Sequence, residues 1–187
     1  ISLKIWTLPR SSLYKTLQMN NAALFSILRF VILVIGQGLV FNHVNFLGYI
    51  NPYPYILFIA LFPINNNNRP LFIFLSFLLG LSVDFFTDSG GIHAAACVTI
   101  AYIRPPILKF SFGTIYDNQT IKFSQIELGS RLVYFSIIAT LHHFILFSLE
   151  VFNISDIILI LKKTVFSSIF TIILCTILSI LFSPKRK

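Results

Sequence analysis

Among the side chains able to move protons or hold metals in a mostly apolar chain, five stand out by their spacing: Asp84, Asp88, His93, His142 and His143. The first three fall between positions 84 and 93, close enough for a carboxylate and an imidazole to share a proton or a metal ion. The adjacent pair His142-His143 invites a metal reading together with Asp84 or His93. On a helix, however, neighbouring residues point about 100° apart, so both imidazoles do not readily line one site. The chain has no HExxH, paired ExxH or CxxC pattern, no P-loop, no GxSxG and no glycine-rich dinucleotide turn. Cys97 and Cys175 lie within apolar runs, where cysteine serves as a small hydrophobe. These patterns favour structural work over turnover. We expect no catalytic residue, no cofactor and no metal.

Composition sets the elements that must position these residues. The chain has 187 residues, 56% of them hydrophobic and 11% charged, with a mean hydropathy of +0.86. Soluble domains carry about 25% charged residues, and a domain of this length cannot hide so much Phe, Ile and Leu from water. The bilayer is the alternative solvent. The net charge of +8 does not mark a nucleic-acid surface, because Lys and Arg sit at segment ends and in short loops. The expected fold is all-α: a polytopic integral membrane protein of about six transmembrane helices.

Residues 1–18 carry Lys4, Arg10 and Lys15 but no long apolar run, and read as a basic extension. They are either upstream of a natural start at Met19 or an amphipathic segment on the membrane surface. Residues 19–183 form the transmembrane domain and 184–187 a basic tail. Segment one, Ala22–Phe41, contains Arg29, which either snorkels to the headgroups or meets a partner carboxylate. Tyr49, Tyr53 and Tyr55 suit an interfacial aromatic belt. Segment two, Tyr55–Ile64, is short for a span and is either a thinned crossing or a re-entrant piece covered by protein. Segment three is Leu71–Val83 and segment four Ile92–Ile107, which ends where Pro105 and Pro106 interrupt the helix and Arg104 meets the headgroups. A polar loop from Lys109 to Gln125 precedes segment five, Leu128–Leu149, and segment six has its apolar core at Thr164–Phe182 after Lys162-Lys163.

Charge sets the orientation. With the N terminus in the cytoplasm and six crossings, Arg69, Arg104, Lys109, Lys122, Arg131 and the Lys185–Lys187 tail fall inside, so both termini are cytoplasmic. Asp84, Asp88, Glu150 and Asp156 fall outside, where Lys162-Lys163 are the exception and pair with Glu150 or Asp156, or snorkel.

The hairpin between segments three and four concentrates the signal. Gly80 and Asp84 close segment three, Asp88-Ser89-Gly90-Gly91 makes the turn, and His93 opens segment four ahead of the small residues Ala94, Ala95 and Ala96. Asp88 or Ser89 is placed to cap segment four, and Asp84 to accept hydrogen bonds from the N–H groups that open it. Gly90 and Gly91 admit left-handed backbone, and the alanines allow close helix approach. His93 either bridges the two helices through a carboxylate or sits at headgroup level.

The run Gly80-Leu81-Ser82-Val83-Asp84, followed by Gly91-Ile92-His93-Ala94-Ala95-Ala96, resembles the signature hairpin of the rod shape-determining protein MreD family. Ala101-Tyr102-Ile103-Arg104-Pro105 is similar to the form found in its Bacteroidetes branch. The resemblance implies a non-enzymatic scaffold of the bacterial inner membrane, within the machinery of cell elongation and peptidoglycan synthesis. The partner it implies is an MreC-like bitopic protein, with MreB-like filaments and peptidoglycan synthases reached indirectly. Membrane lipids and possible homo-oligomers complete the expected contacts, and nucleic acid is not among them. The family is similar in fold to the substrate-binding subunits of vitamin transporters, so a small-molecule binding subunit is the alternative. That reading expects a cavity lined by Asn42, His43, Asp84, His93 and His142.

Overall fold

The computed structural model describes residues 10–44, 48, 50–63, 68–113 and 126–181, with side chains from Leu24 onward save that of Ile154. Its helices are α1 (Arg10–Leu39), α2 (Leu57–Leu61), α3 (Arg69–Thr87), α4 (Ile92–Phe112), α5 (Leu128–Val151) and α6 (Ile157–Leu181). Four stretches are long and apolar enough to cross a membrane: Leu24–His43, which contains most of α1, and the whole of α3, α5 and α6. The chain is therefore a multi-pass membrane protein whose described residues form helices and no sheet. Helix α4 falls outside that group because Arg104, Lys109 and two prolines dilute its apolarity. It is instead packed between α3 and α5, and buries His93, Ala94, Ala96, Cys97, Ile100, Ala101, Arg104 and Ile107.

The polarity of α6 runs opposite to that of a helix in a water-soluble core. Its buried face is Ile160, Thr164, Ser167, Ser168, Thr171, Cys175 and Ser179, mostly small and hydroxylated. Its exposed face is Ile158, Leu161, Val165, Ile169, Ile173 and Ile177. Where hydrocarbon is the solvent, large apolar side chains gain nothing by turning inward, and small ones inside let backbones approach.

Helices α1 and α3 run in the same direction, since Gly38 and Phe86, each near its helix's C-terminal end, are in contact. The chain between them must return along the bundle. It does so as a strap, residues 50–62, which mixes extended backbone, a 3-10 turn at Pro54–Ile56 and the five-residue α2. Extended and 3-10 backbone advance about 3.3 and 2.0 Å per residue against 1.5 Å for an α-helix, so few residues cover a long path. Tyr55, Ile56, Leu57, Phe58, Ile59 and Ala60 are all buried. Segment two is thus covered by protein rather than exposed to lipid, as irregular backbone at membrane depth requires.

Several boundaries differ from the sequence reading. Helix α4 continues through Pro105 and Pro106 to Phe112, because neighbouring helices hold its backbone in place despite the missing N–H groups. Tyr53 and Tyr55 are in the core, not in an interfacial belt, and Tyr55 is inaccessible to solvent. Helix α6 begins at Ile157, so Lys162 and Lys163 lie inside it. Asn153 sets that start: its side chain accepts from Ser155 N–H at 3.1 Å and donates to Asp156 at 2.9 Å. Lys163 pairs with Glu150 at 2.7 Å, one of the pairings expected. Helix α1 starts at Arg10, inside the stretch read as an extension. Residues 1–9, Tyr49, Asn65–Asn67, the loop 114–125 and the tail 182–187 lie outside the described residues.

Gly80 sets the spacing of α3 and α4. A Cβ there would stand 2.5 Å from His93 O and 2.6 Å from Ala94 N, both backbone atoms that cannot step aside. Gly36 on α1 has nothing within 4 Å of an added Cβ. Gly80→Ala should therefore destabilise the purified protein by about 1–3 kcal/mol, while Gly36→Ala should be neutral or stabilise it by up to about 1 kcal/mol. Thermal unfolding of the two variants in the same detergent checks the contrast, and equal melting temperatures would disprove the backbone contact at Gly80.

Candidate functional site

Asp84 lies one helical turn beyond Gly80, on the same face of α3. The close approach at Gly80 brings its carboxylate to the first turn of α4, whose opening N–H groups have no intrahelical acceptor. Oδ1 accepts from His93 N–H at 2.9 Å, Oδ2 accepts from Ala94 N–H at 2.9 Å, and Ser89 Oγ donates to Oδ1. A side chain of α3 thus caps α4 from across the hairpin, which is the acceptor role expected for Asp84. Asp88 does not cap α4. It ends α3 in left-handed conformation (φ 52°) with its side chain exposed, and Ser89 bonds Asp84 and Thr87 instead. Gly90 and Gly91 have φ of 68° and 98°, and Gly91 is the residue from which α4 starts. Ala94 and Ala96 are buried against neighbouring helices, whereas Ala95 is exposed and takes no part in that packing.

Below the cap, the strap threads two tyrosines between the histidines. Tyr55 Oη lies 2.8 Å from His93 Nδ1 and 2.9 Å from His142 Nε2. With one hydroxyl proton it donates to one imidazole and accepts from the other, so neutral histidines satisfy both contacts. Tyr53 packs against His93, His143 and Phe147. Its N–H donates to Thr171 Oγ1 at 2.9 Å, Thr171 stands 3.1 Å from His143 Nε2, and His143 Nδ1 stands 2.7 Å from Ala139 O. Ala139 O requires a donor at Nδ1, so a neutral His143 donates there and accepts from Thr171 at Nε2. The adjacent histidines serve different neighbours, His142 the strap and His143 helix α6, as their separation on a helix dictates.

The other end of the strap is held by arginine. Arg104 is buried, with Nε donating to Tyr134 Oη at 2.7 Å and Nη2 to Ala60 O at 2.8 Å, and its guanidinium lies 5.2 Å from the Phe72 ring centroid. Tyr134 Oη also donates to Ala60 O at 3.0 Å. Arg104 is thus not at the headgroups; it satisfies a carbonyl that the short α2 leaves without an intrahelical donor. Arg29 reaches the next carbonyl, Leu61 O, through a long 3.5 Å contact. Of the residues expected to line a cavity, His93 and His142 meet at Tyr55, Asp84 meets His93 through its backbone N–H and not its ring, Asn42 is bound by Gln37 at 2.9 Å, and His43 is exposed. Among the described residues no three His, Cys, Asp or Glu side chains are grouped to hold a metal ion.

The sequence reading missed Tyr53, Tyr55, Tyr134 and Thr171. Asn51-Pro52 and Tyr53-Pro54 flank a ten-residue apolar run too short to span, and that was the available sign that the tyrosines enter the protein. No family model, curated protein or solved structure matches the chain.

Two substitutions test this arrangement. Asp84→Asn turns one acceptor into a donor facing a backbone N–H, and Tyr55→Phe strands two buried imidazole nitrogens. Each should cost about 1–3 kcal/mol, while Asp88→Ala, on an exposed side chain, should change stability by less than about 0.5 kcal/mol. Thermal unfolding in detergent reads all three, and an Asp84→Asn protein as stable as the wild type would rule out the cap.

Proposed function

We propose that this protein is a non-enzymatic scaffold of the MreD type in the bacterial cytoplasmic membrane, docking the transmembrane helix of an MreC-like bitopic partner. The observation that carries the reading is the Asp84 carboxylate: the residue most suggestive of chemistry is committed to three hydrogen-bond donors that join α3 to α4. Gly80, Asp84, His93 and Ala94, four of the residues that carry the family resemblance, are engaged in this contact. His93, His142 and His143 are likewise committed to the strap and α6. Six passes, five helical and one through the strap, with both termini in the cytoplasm, agree with the charge distribution. Asp84, Asp88, Glu150 and Asp156 lie toward one end, and Arg69, Lys109 and Arg131 toward the other.

A gentle-detergent pull-down of the tagged full-length chain from bacterial membranes tests the role. The expected result is stoichiometric recovery of a single-span protein with a large periplasmic domain, accompanied by wall-synthesis proteins and reduced by Gly80→Ala. Recovery of the chain alone with a bound metabolite would overturn the scaffold in favour of a small-molecule binding subunit.

A further inference from the structure

Arg104 heads the fully buried side chains by volume, and two of its three nitrogens are engaged. The third, Nη1, is buried and meets no acceptor. One turn before Tyr134, on the same side of α5, Arg131 also has its Nε buried without an acceptor. The last turn of α4 adds the exposed Lys109. Among the described residues Glu127 is the one carboxylate toward this end, exposed just before α5, while Asp84, Asp88, Glu150 and Asp156 lie toward the other. A guanidinium held at membrane depth by one hydroxyl, one carbonyl and an aromatic ring keeps most of its desolvation cost. An anion at the same corner offsets that cost, and a planar guanidinium matches phosphate oxygens in spacing and charge.

We propose that the corner between α4 and α5 binds a phosphate-class anion, with Arg131 and Lys109 receiving it at the rim and Arg104 supplying the buried charge behind them. The anion is the headgroup phosphate of an acidic phospholipid or a free phosphate; both offer the same acceptors. Binding is read on the isolated chain and does not depend on the scaffold role. Only the assignment of the corner to the cytoplasmic leaflet rests on the orientation given above.

Native mass spectrometry of the full chain in neutral detergent, offered equal phosphatidylglycerol and phosphatidylcholine, tests the lipid source. Retention of phosphatidylglycerol over phosphatidylcholine is expected. Arg131→Gln should lower it about fivefold, the effect of one cation near the surface, and Arg131→Lys should retain most of it. Arg69→Gln removes the same charge toward the same end, but from a side chain that lies over the Tyr102 ring, and should leave retention unchanged. Where Arg104→Gln fails to fold, the Arg131 variants still decide. Protection against heat by inorganic phosphate, lost in Arg131→Gln but not in Arg69→Gln, would support the same site with a soluble source. Equal losses in the Arg69 and Arg131 variants, or neither lipid preference nor phosphate protection, would overturn the proposal.

Discussion

Two costs cancel at Asp84, and the hairpin exists because they do. A carboxylate buried in an apolar bundle is unfavourable by several kcal/mol unless it is hydrogen-bonded, and a helix N-terminus buried without acceptors is unfavourable for the mirror reason. Joining them removes both. Hydrogen bonds to an ionised group contribute about 1.5–3 kcal/mol each, and the positive end of the helix dipole adds to the attraction. The contact also fixes register. Gly80 and Asp84 are one turn apart, so the close approach and the cap form together, and sliding α4 by one residue would forfeit both. His93, whose N–H is one of the capped groups, then has its ring set against Tyr55, and the strap inherits its position from the hairpin.

The interior of this bundle is where its polarity is. Seven helix residues of α6 face inward with five hydroxyls and one thiol among them, while isoleucines cover the outside. In water this arrangement would be unfavourable; in hydrocarbon it lets Ser167, Thr171 and Ser179 find partners that the lipid cannot provide, while the Thr164 and Ser168 hydroxyls are buried without one. Thr171 illustrates the economy of such contacts, accepting from a strap N–H and serving a histidine with one hydroxyl. The same logic explains why arginine, and not lysine, holds the end of α2: a fixed fork reaches a hydroxyl and a carbonyl at once.

Much of this was legible along the chain. The apolar segments, the inward packing of Ala94 and Ala96 though not of Ala95, the paired glycines of the turn and the acceptor role of Asp84 all follow from local pattern and elementary hydrogen-bond accounting. The cap was read one turn too late for Asp88 and Ser89, because cap preferences are statistics of neighbouring residues and Asp84 acts across space. Arg104 before two prolines reads as a helix end by the same local rules, yet packing on both sides carries α4 onward. The tyrosines were misplaced for a related reason. A ring with one wet end belongs in the headgroup belt unless the protein supplies a partner for its hydroxyl, and the partners of Tyr55 lie 38 and 87 residues away. Sequence pattern reports periodicity within an element; it carries little about which distant side chain meets which.

The strap places a constraint on how the fold can be assembled. Its backbone is too irregular to satisfy itself: Asn51 and Tyr53 donate to hydroxyls of α6, and the Ala60 carbonyl accepts from α4 and α5. All three helices are synthesised after it. Unpaired N–H and carbonyl groups are costly in hydrocarbon, so the strap cannot be stable at its final depth until those helices arrive. The hairpin does not share that dependence, because the N–H of His93 is capped within α3–α4, whereas its ring depends on Tyr55 of the strap. The contact at Asp84 is therefore local in sequence and closed by the hairpin itself, while those at Tyr53, Tyr55 and Ala60 need elements far along the chain.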